Sequence, residues 1–308
     1  MRRITMKHLL SVEDIPQCDL IKLFGKAAEL KANRRKSGGA RPLDGKTIAM
    51  IFAKSSTRTR VSFEVGIHEL GGYPMYLSEN QMQAGRGETP ADTAKVLSRY
   101  VDGIVIRTFE HAGVEELARN ATVPVINALT NEYHPCQALT DMFTVLEYSG
   151  RLEGVKLVFL GDGCSNMANS LILAGKMCGL EVVISSPSGF EPDREVIARA
   201  QGNGKVCWEP EPFKAVKNAD YIYTDVWVSM GFEDESAERL KTLAPYQVNS
   251  KLMQAAKADA KILHCLPAHR GEEITGEVMD SPASIVFDQA ENRLHVQKAI
   301  LTYLFGGI

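Results

Sequence analysis

Much that would give a chain an obvious role is missing from these 308 residues. No stretch approaches the roughly 20 consecutive apolar residues of a membrane helix. The six cysteines, at 18, 136, 164, 178, 207 and 265, form no CxxC pair and no regular framework. That usage suits free thiols in a reducing compartment. The opening MRRITMKHLLSVEDIPQ is basic, but Ser11, Glu13 and Asp14 break its apolar run. It therefore lacks a secretory core, and the expected location is the cytoplasm. A net charge of −3 gives no basic field for nucleic acid. Low-complexity segments and internal repeats are absent, and the hydroxyl- and arginine-rich stretch at 54–60 has neither the glycine pattern nor the Gly-Lys-Ser/Thr ending of a nucleotide-binding P-loop.

The chain does have apolar substance, 44% of its residues, enough for two domains. Strand-like runs alternate with amphipathic helical runs. TIAMIFA (47–53) reads as a strand and RVSFEVGIHELGG (60–72) as a helix, with Phe63, Gly66, Ile67 and Leu70 on one face. GIVIRT (103–108), helical GVEELARN and strand VPVIN come next. VKLVFLGDG (155–163) opens a second series: helix NSLILAGKMCG, strand LEVVISS, a helix around 191–201, then strands near KVCWE, YIYTDVW and KILHCL. This alternation predicts an α/β protein of two doubly wound parallel-sheet domains. The seam falls near EYSGRLEG (147–154), punctuated by Gly150 and Gly154, and the final AENRLHVQKAILTYLF reads as a helix that packs back on the body.

In open parallel sheets, ligands bind beyond the C-terminal ends of the strands, so the residues just after each strand are the candidates for a site. After 47–53 come Ser55, Ser56, Thr57, Arg58, Thr59 and Arg60 at the start of a helix. Free N–H groups, hydroxyls and guanidinium forks there suit a phosphate, although a serine N-cap with solvated arginines would look the same. Arg107 comes after the strand at 103–106. His134-Pro135-Cys136-Gln137 opens the helix QALTDMFTVLEY, where His134 and Gln137 can hydrogen-bond a carbonyl and an amide. Gly161-Asp162-Gly163 with Ser165-Asn166-Met167 half-resembles a dinucleotide loop. The next strand, however, ends in Ser185-Ser186-Pro187 instead of an acidic residue, which counts against a nicotinamide-dependent dehydrogenase. Asp225 through Gly231 succeeds the strand at 221–224, and His264-Cys265-Leu266-Pro267 ends the last one. His264, Cys265 and His269 invite a zinc reading, but neighbours on a strand face opposite sides, so no metal is expected. A thiol beside the carboxylate of Asp225 would instead hold an amine.

Four motifs in this order, Ser56-Thr57-Arg58-Thr59-Arg60, His134-Pro-Cys-Gln137, Asp225-x-x-x-Ser229-Met230-Gly231 and His264-Cys265-Leu266-Pro267, resemble the aspartate/ornithine carbamoyltransferase family, in its ornithine branch, over essentially the whole chain. The resemblance implies a carbamoyl phosphate domain (1–148 with the terminal helix 288–308) and an ornithine domain (149–287), joined by two bridging helices. It implies transfer of a carbamoyl group to the δ-amine of L-ornithine, giving citrulline and phosphate, in arginine biosynthesis or in reverse in its breakdown. Alternative acceptors are N-acetylornithine, putrescine and aspartate. Ser56, Thr57, Arg58, Thr59 and Arg293 would hold the phosphate, with Gln83 reaching a neighbouring subunit's site. Arg107, His134 and Thr59 would polarise the carbamoyl oxygen, while Gln137 and Leu266 orient its NH2. Asn166, Asp225, Ser229 and Met230 would bind ornithine, and Asp225 and Cys265 would place its δ-amine. The family implies a trimer or a multiple of trimers, and neither cofactor nor metal.

Overall fold

The computed structural model describes residues 8–36, 39–54, 56–78, 87–201, 204–228 and 236–306. Two compact units emerge, Met1–Thr140 with Glu291–Ile308, and Asp141–Ala290.

The first unit carries a four-stranded sheet of β1 (Thr47–Phe52), β2 (Tyr73–Ser78), β3 (Gly103–Arg107) and β4 (Val125–Leu129), in the order β2-β1-β3-β4 and parallel throughout. Helices α1 (Gln17–Ala32), α2 (Thr57–Glu69), α3 (Pro90–Leu97) and α4 (His111–Asn120) accompany it. β1 and β3 are buried along nearly their whole length, the condition of strands covered on both faces. On one face Ala49, Ile51, Ile104, Ile106 and Val125 pack with Ala94 of α3 and with Val114, Leu117 and Ala118 of α4. Gly66 of α2 lets Lys298 come close: a Cβ there would stand 3.1 Å from its Cγ. The edge strand β2 and the helix α1 carry no clear signal in the sequence. β2 begins Tyr-Pro, and none of its residues is fully buried.

The chain passes between the units within α5 (Pro135–Ser149) and again within α12 (Val286–Gly306). The second unit contains β5 (Lys156–Leu160), β6 (Glu181–Ser185), β7 (Lys205–Trp208), β8 (Tyr221–Thr224) and β9 (Lys261–His264), in the order β7-β6-β5-β8-β9 and again all parallel. Its helices are α6 (Asn166–Cys178), α7 (Arg194–Arg199), α8 (Pro212–Ala215), α9 (Ser236–Leu243), α10 (Ser250–Met253) and α11 (Gly276–Met279). Val158, Leu160, Val183, Ile222 and Ile262 form a core with Val216, Leu252, Ile274 and Met279.

Each sheet reverses its winding at one place. In the first unit the chain steps from β1 outward to β2, then to β3 on the other side. In the second it steps from β5 through β6 to β7, then to β8. A crevice opens beyond the strand ends at such a reversal. The motifs sit at the ends of those strands: Ser56 to Thr59 after β1 and Arg107 ending β3; Asn166 after β5 and Asp225 after β8.

Candidate active site

In the first unit, α2 starts three residues earlier than its hydrophobic spacing predicts. Ser56 is its N-cap, and its hydroxyl accepts the Thr59 N–H at 3.2 Å. The capping role and a ligand role are compatible, because the same hydroxyl keeps its proton to donate. Thr57 and Arg58 therefore lie in the first turn, where backbone N–H groups have no intrahelical acceptor. Both are exposed, and Thr59 is buried.

Thr59 is a hub. Its hydroxyl oxygen accepts from Arg107 at 3.4 Å and from Arg293 at 3.0 Å, and Arg293 also donates to the Gln137 amide oxygen at 2.6 Å. Arg107 is aimed by an irregularity in the β3–β4 ladder: Ile106 pairs with Asn127, but Arg107 pairs with Leu129. His134 stands directly before α5, its carbonyl accepting the Gln137 and Ala138 N–H groups. Burial, then Arg293 and Arg107, hold the His134 imidazole well below its ordinary pKa, so it is neutral at pH 7. The same field reaches Lys54, which sequence reasoning missed. Lys54 is buried, donates to Asn131 Oδ1 at 2.7 Å and lies 4.2 Å over the Phe109 ring. Burial and Arg107 lower its pKa. A lysine reads as surface charge in sequence, and only its place between a strand end and Ser56 marks it. Cys136, inside the His134 motif, is fully buried and pushed up to about 12, which makes its thiol inert. This cluster is electropositive and lined with neutral donors, a setting for an anion whose carbonyl needs polarising.

In the second unit, Thr224 pairs with His264, so the next residues on each strand, Asp225 and Cys265, stand side by side. The Cys265 thiol donates to Asp225 Oδ1 at 2.8 Å, and the Val226 N–H donates to the same oxygen at 2.8 Å. Burial raises the pKa of Asp225. An ammonium group arriving there would favour the ionised form. Asn166 occupies the first turn of α6, behind the N-cap Ser165. Leu266 has φ of 59°, left-handed for a residue with a side chain, and its N–H donates to His264 Nδ1 at 2.8 Å. The other ring nitrogen of His264 meets Glu273 Oε1 at 3.0 Å, and both side chains are fully buried. His264 is thus a bracket for the loop, with Nε2 carrying the proton, since Nδ1 must accept. Glu273 comes after the motif in a loop, and no periodicity marks it.

Alternation along a strand would set His264 and Cys265 on opposite faces. Strand β9 ends at His264, however, and single atoms of His264, Cys265 and Asp225 lie within 4.8 Å of one another. Both nitrogens of His264 are already engaged. At the Gly161-Asp162-Gly163 turn, a Cβ on Gly163 would stand 2.4 Å from the Phe190 carbonyl oxygen, so that backbone packs closely here only against a glycine. Gln83, Ser229 and Met230 lie outside the described residues.

Residues 7–147 match the family described as aspartate/ornithine carbamoyltransferase, carbamoyl-P binding domain, and residues 153–304 match its Asp/Orn binding domain. The chain belongs to the aspartate/ornithine carbamoyltransferase family. Its similar relatives carry the name of the ornithine branch. The ornithine carbamoyltransferase of Thermococcus kodakarensis is 52% identical over 98% of this chain and 97% of its own. That of Bacillus subtilis is 54% identical over 96% and 92%. Among solved structures, the ornithine carbamoyltransferase of Pyrococcus furiosus superposes with a TM-score of 0.94 at 51% identity, covering 99% of both chains.

Proposed function

We propose that this protein is an ornithine carbamoyltransferase, moving the carbamoyl group of carbamoyl phosphate to the δ-amine of L-ornithine to give L-citrulline and phosphate. The observation that carries the choice of acceptor is the carboxylate–thiol contact of Asp225 and Cys265, 2.8 Å apart beyond the ends of β8 and β9. The names of relatives about half identical along nearly the full chain support it.

The phosphate rests on the first turn of α2, with Ser56, Thr57, Arg58 and Arg293 as donors and Gln83 of a neighbouring copy completing the cradle. Arg107, Thr59 and neutral His134 donate to the carbamoyl oxygen, whose charge grows as the carbon becomes tetrahedral. A donor fixed in that way contributes about 3 kcal/mol. Gln137 and the Leu266 carbonyl take the carbamoyl NH2. The Gln137 oxygen already accepts from Arg293, so it uses its second lone pair. Asp225 pairs with the ornithine α-ammonium, Asn166 with its α-carboxylate, and Ser229 and Met230 border the side chain. The δ-amine is protonated at pH 7 and must first lose a proton to solvent. Its nitrogen, held by Cys265 and Asp225, then bonds to the carbamoyl carbon. The C–O bond to phosphate breaks, and the departing phosphate takes the second proton. Carbamoyl phosphate is already activated, so positioning and charge suffice without a cofactor.

The reaction belongs to the cytoplasm and to arginine biosynthesis, the direction named for the anabolic enzyme of Pyrococcus furiosus. Among the described residues no helix is long and apolar enough to cross a membrane. The assembly is a homotrimer or a multiple of it, for which the exposed edge strand β2 offers a surface. Purified protein with carbamoyl phosphate and ornithine, N-acetylornithine, putrescine or aspartate in parallel should give rapid product with ornithine alone. Product with a different amine would overturn the acceptor, and no product with any would overturn the reaction.

A further inference from the structure

Strand β9 lies at the edge of its sheet, so every second N–H along it points away from β8. At Ile262 that outward N–H is met by the Ala283 carbonyl at 2.9 Å. Two residues on, at His264, no neighbouring backbone takes over. The acceptor is a side chain, Gln289 Oε1, at 2.9 Å. Gln289 Nε2 in turn donates to Asp141 Oδ1 at 2.6 Å and stands 3.3 Å from the Tyr223 hydroxyl. All four residues are buried, at 0% or 1% exposure.

The polarity of this chain of bonds is fixed at both ends. A backbone N–H only donates and a carboxylate only accepts, so the amide of Gln289 has one orientation. A strap of this kind is expensive to bury, and an apolar side chain at position 289 would leave the buried His264 N–H without this acceptor. What it adds is a definite position for the His264 backbone. The next two residues are Cys265, whose thiol must face Asp225, and Leu266, held at positive φ. A shift of about one ångström in a reacting group costs roughly a hundredfold in rate.

We infer that Asp141, Tyr223 and Gln289 are positioning residues for the acceptor side of the reaction: through the His264 N–H they hold the end of β9 where Cys265 lies against Asp225. This rests on the roles proposed for Cys265 and Leu266, but it has a readout that needs no turnover.

Three measurements on Gln289→Leu and Gln289→Glu test it. Gln289→Leu should lower kcat with ornithine at least about tenfold, with binding of inorganic phosphate within about twofold of wild type. In the same variant, alkylation of Cys265 by iodoacetamide, read by peptide mass spectrometry, should quicken several-fold relative to Cys164. Gln289→Glu keeps the acceptor for the His264 N–H but puts a second carboxyl against Asp141. The two groups must share a proton, so this variant should approach wild-type kcat at acid pH and fall away as pH rises, more steeply than wild type. Wild-type kcat together with wild-type Cys265 alkylation in Gln289→Leu would overturn the inference. So would an equal loss of phosphate binding, which would mark a general structural role. Altered alkylation of Cys265 would stand even if ornithine proved not to be the acceptor.

Discussion

Thr59 has a single hydroxyl oxygen, and two guanidinium groups meet on it. The field of Arg107 and Arg293 adds to burial in lowering the pKa of His134. Its effect on His134 has a consequence for stability. The imidazole is neutral in the folded protein, with a pKa well below 6.5, and protonates freely when the chain unfolds. Between those two values the unfolded state binds more protons, so stability rises with pH across that window. The contribution is complete above about 6.5 and is lost progressively as pH falls toward the folded value. Replacing His134 by Gln removes that proton difference. The expected result is a melting temperature that drops less between about pH 7 and about pH 5.5 in His134→Gln than in wild type. Equal drops would show that His134 is not held neutral. Of the residues in this cluster, those that succeed strands in polar runs were legible in the sequence. Lys54 was not, because a lysine gives no sign of being buried over an aromatic ring. Gln289 and Glu273 were not either, because their partners lie 25 and nine positions away.

Among the elements, the strands were the most legible. Buried parallel strands such as β1, β3 and β5 are continuous apolar runs with little else to read. Exposed β2 has neither alternation nor a run, and its Pro74 weakens any strand signal. Helix ends were displaced where a polar cap governs them: Ser56 starts α2 before its apolar face begins, and Ser165 does the same for α6. Helix α6 also shows what the sequence hid in a glycine. A Cβ on Gly175 would stand 2.2 Å from Val182 Cγ2, so the helix lies against β6 only because that position has no side chain. Gly175→Ala should therefore cost about 1–3 kcal/mol despite alanine's better helix propensity. Thermal or urea unfolding checks this, with the specific activity of the folded fraction unchanged. A stabilised variant would mean that the α6–β6 packing yields freely.

At the scale of the whole molecule, the surface of the first unit carries an unusual edge. Tyr73 is 63% exposed on β2, with Met75 and Tyr76 exposed beside it and Val61 exposed on α2. An edge strand so apolar invites a partner. If copies of the chain cover it, Tyr73→Lys with Met75→Lys should reduce the molar mass seen by light scattering to that of a monomer, and lower turnover if, as we propose, Gln83 of a neighbour serves the site. An unchanged mass would place the contact elsewhere. The proposed reaction requires the protein to bind carbamoyl phosphate and ornithine together for a single transfer. The most direct test is calorimetric binding of a stable molecule that joins a phosphonate to the δ-nitrogen of ornithine through an acetyl linker. Binding should be at least about a hundredfold tighter than that of ornithine or phosphate alone, as expected for a mimic of both substrates at the transition state. Binding no tighter than that of inorganic phosphate would contradict it.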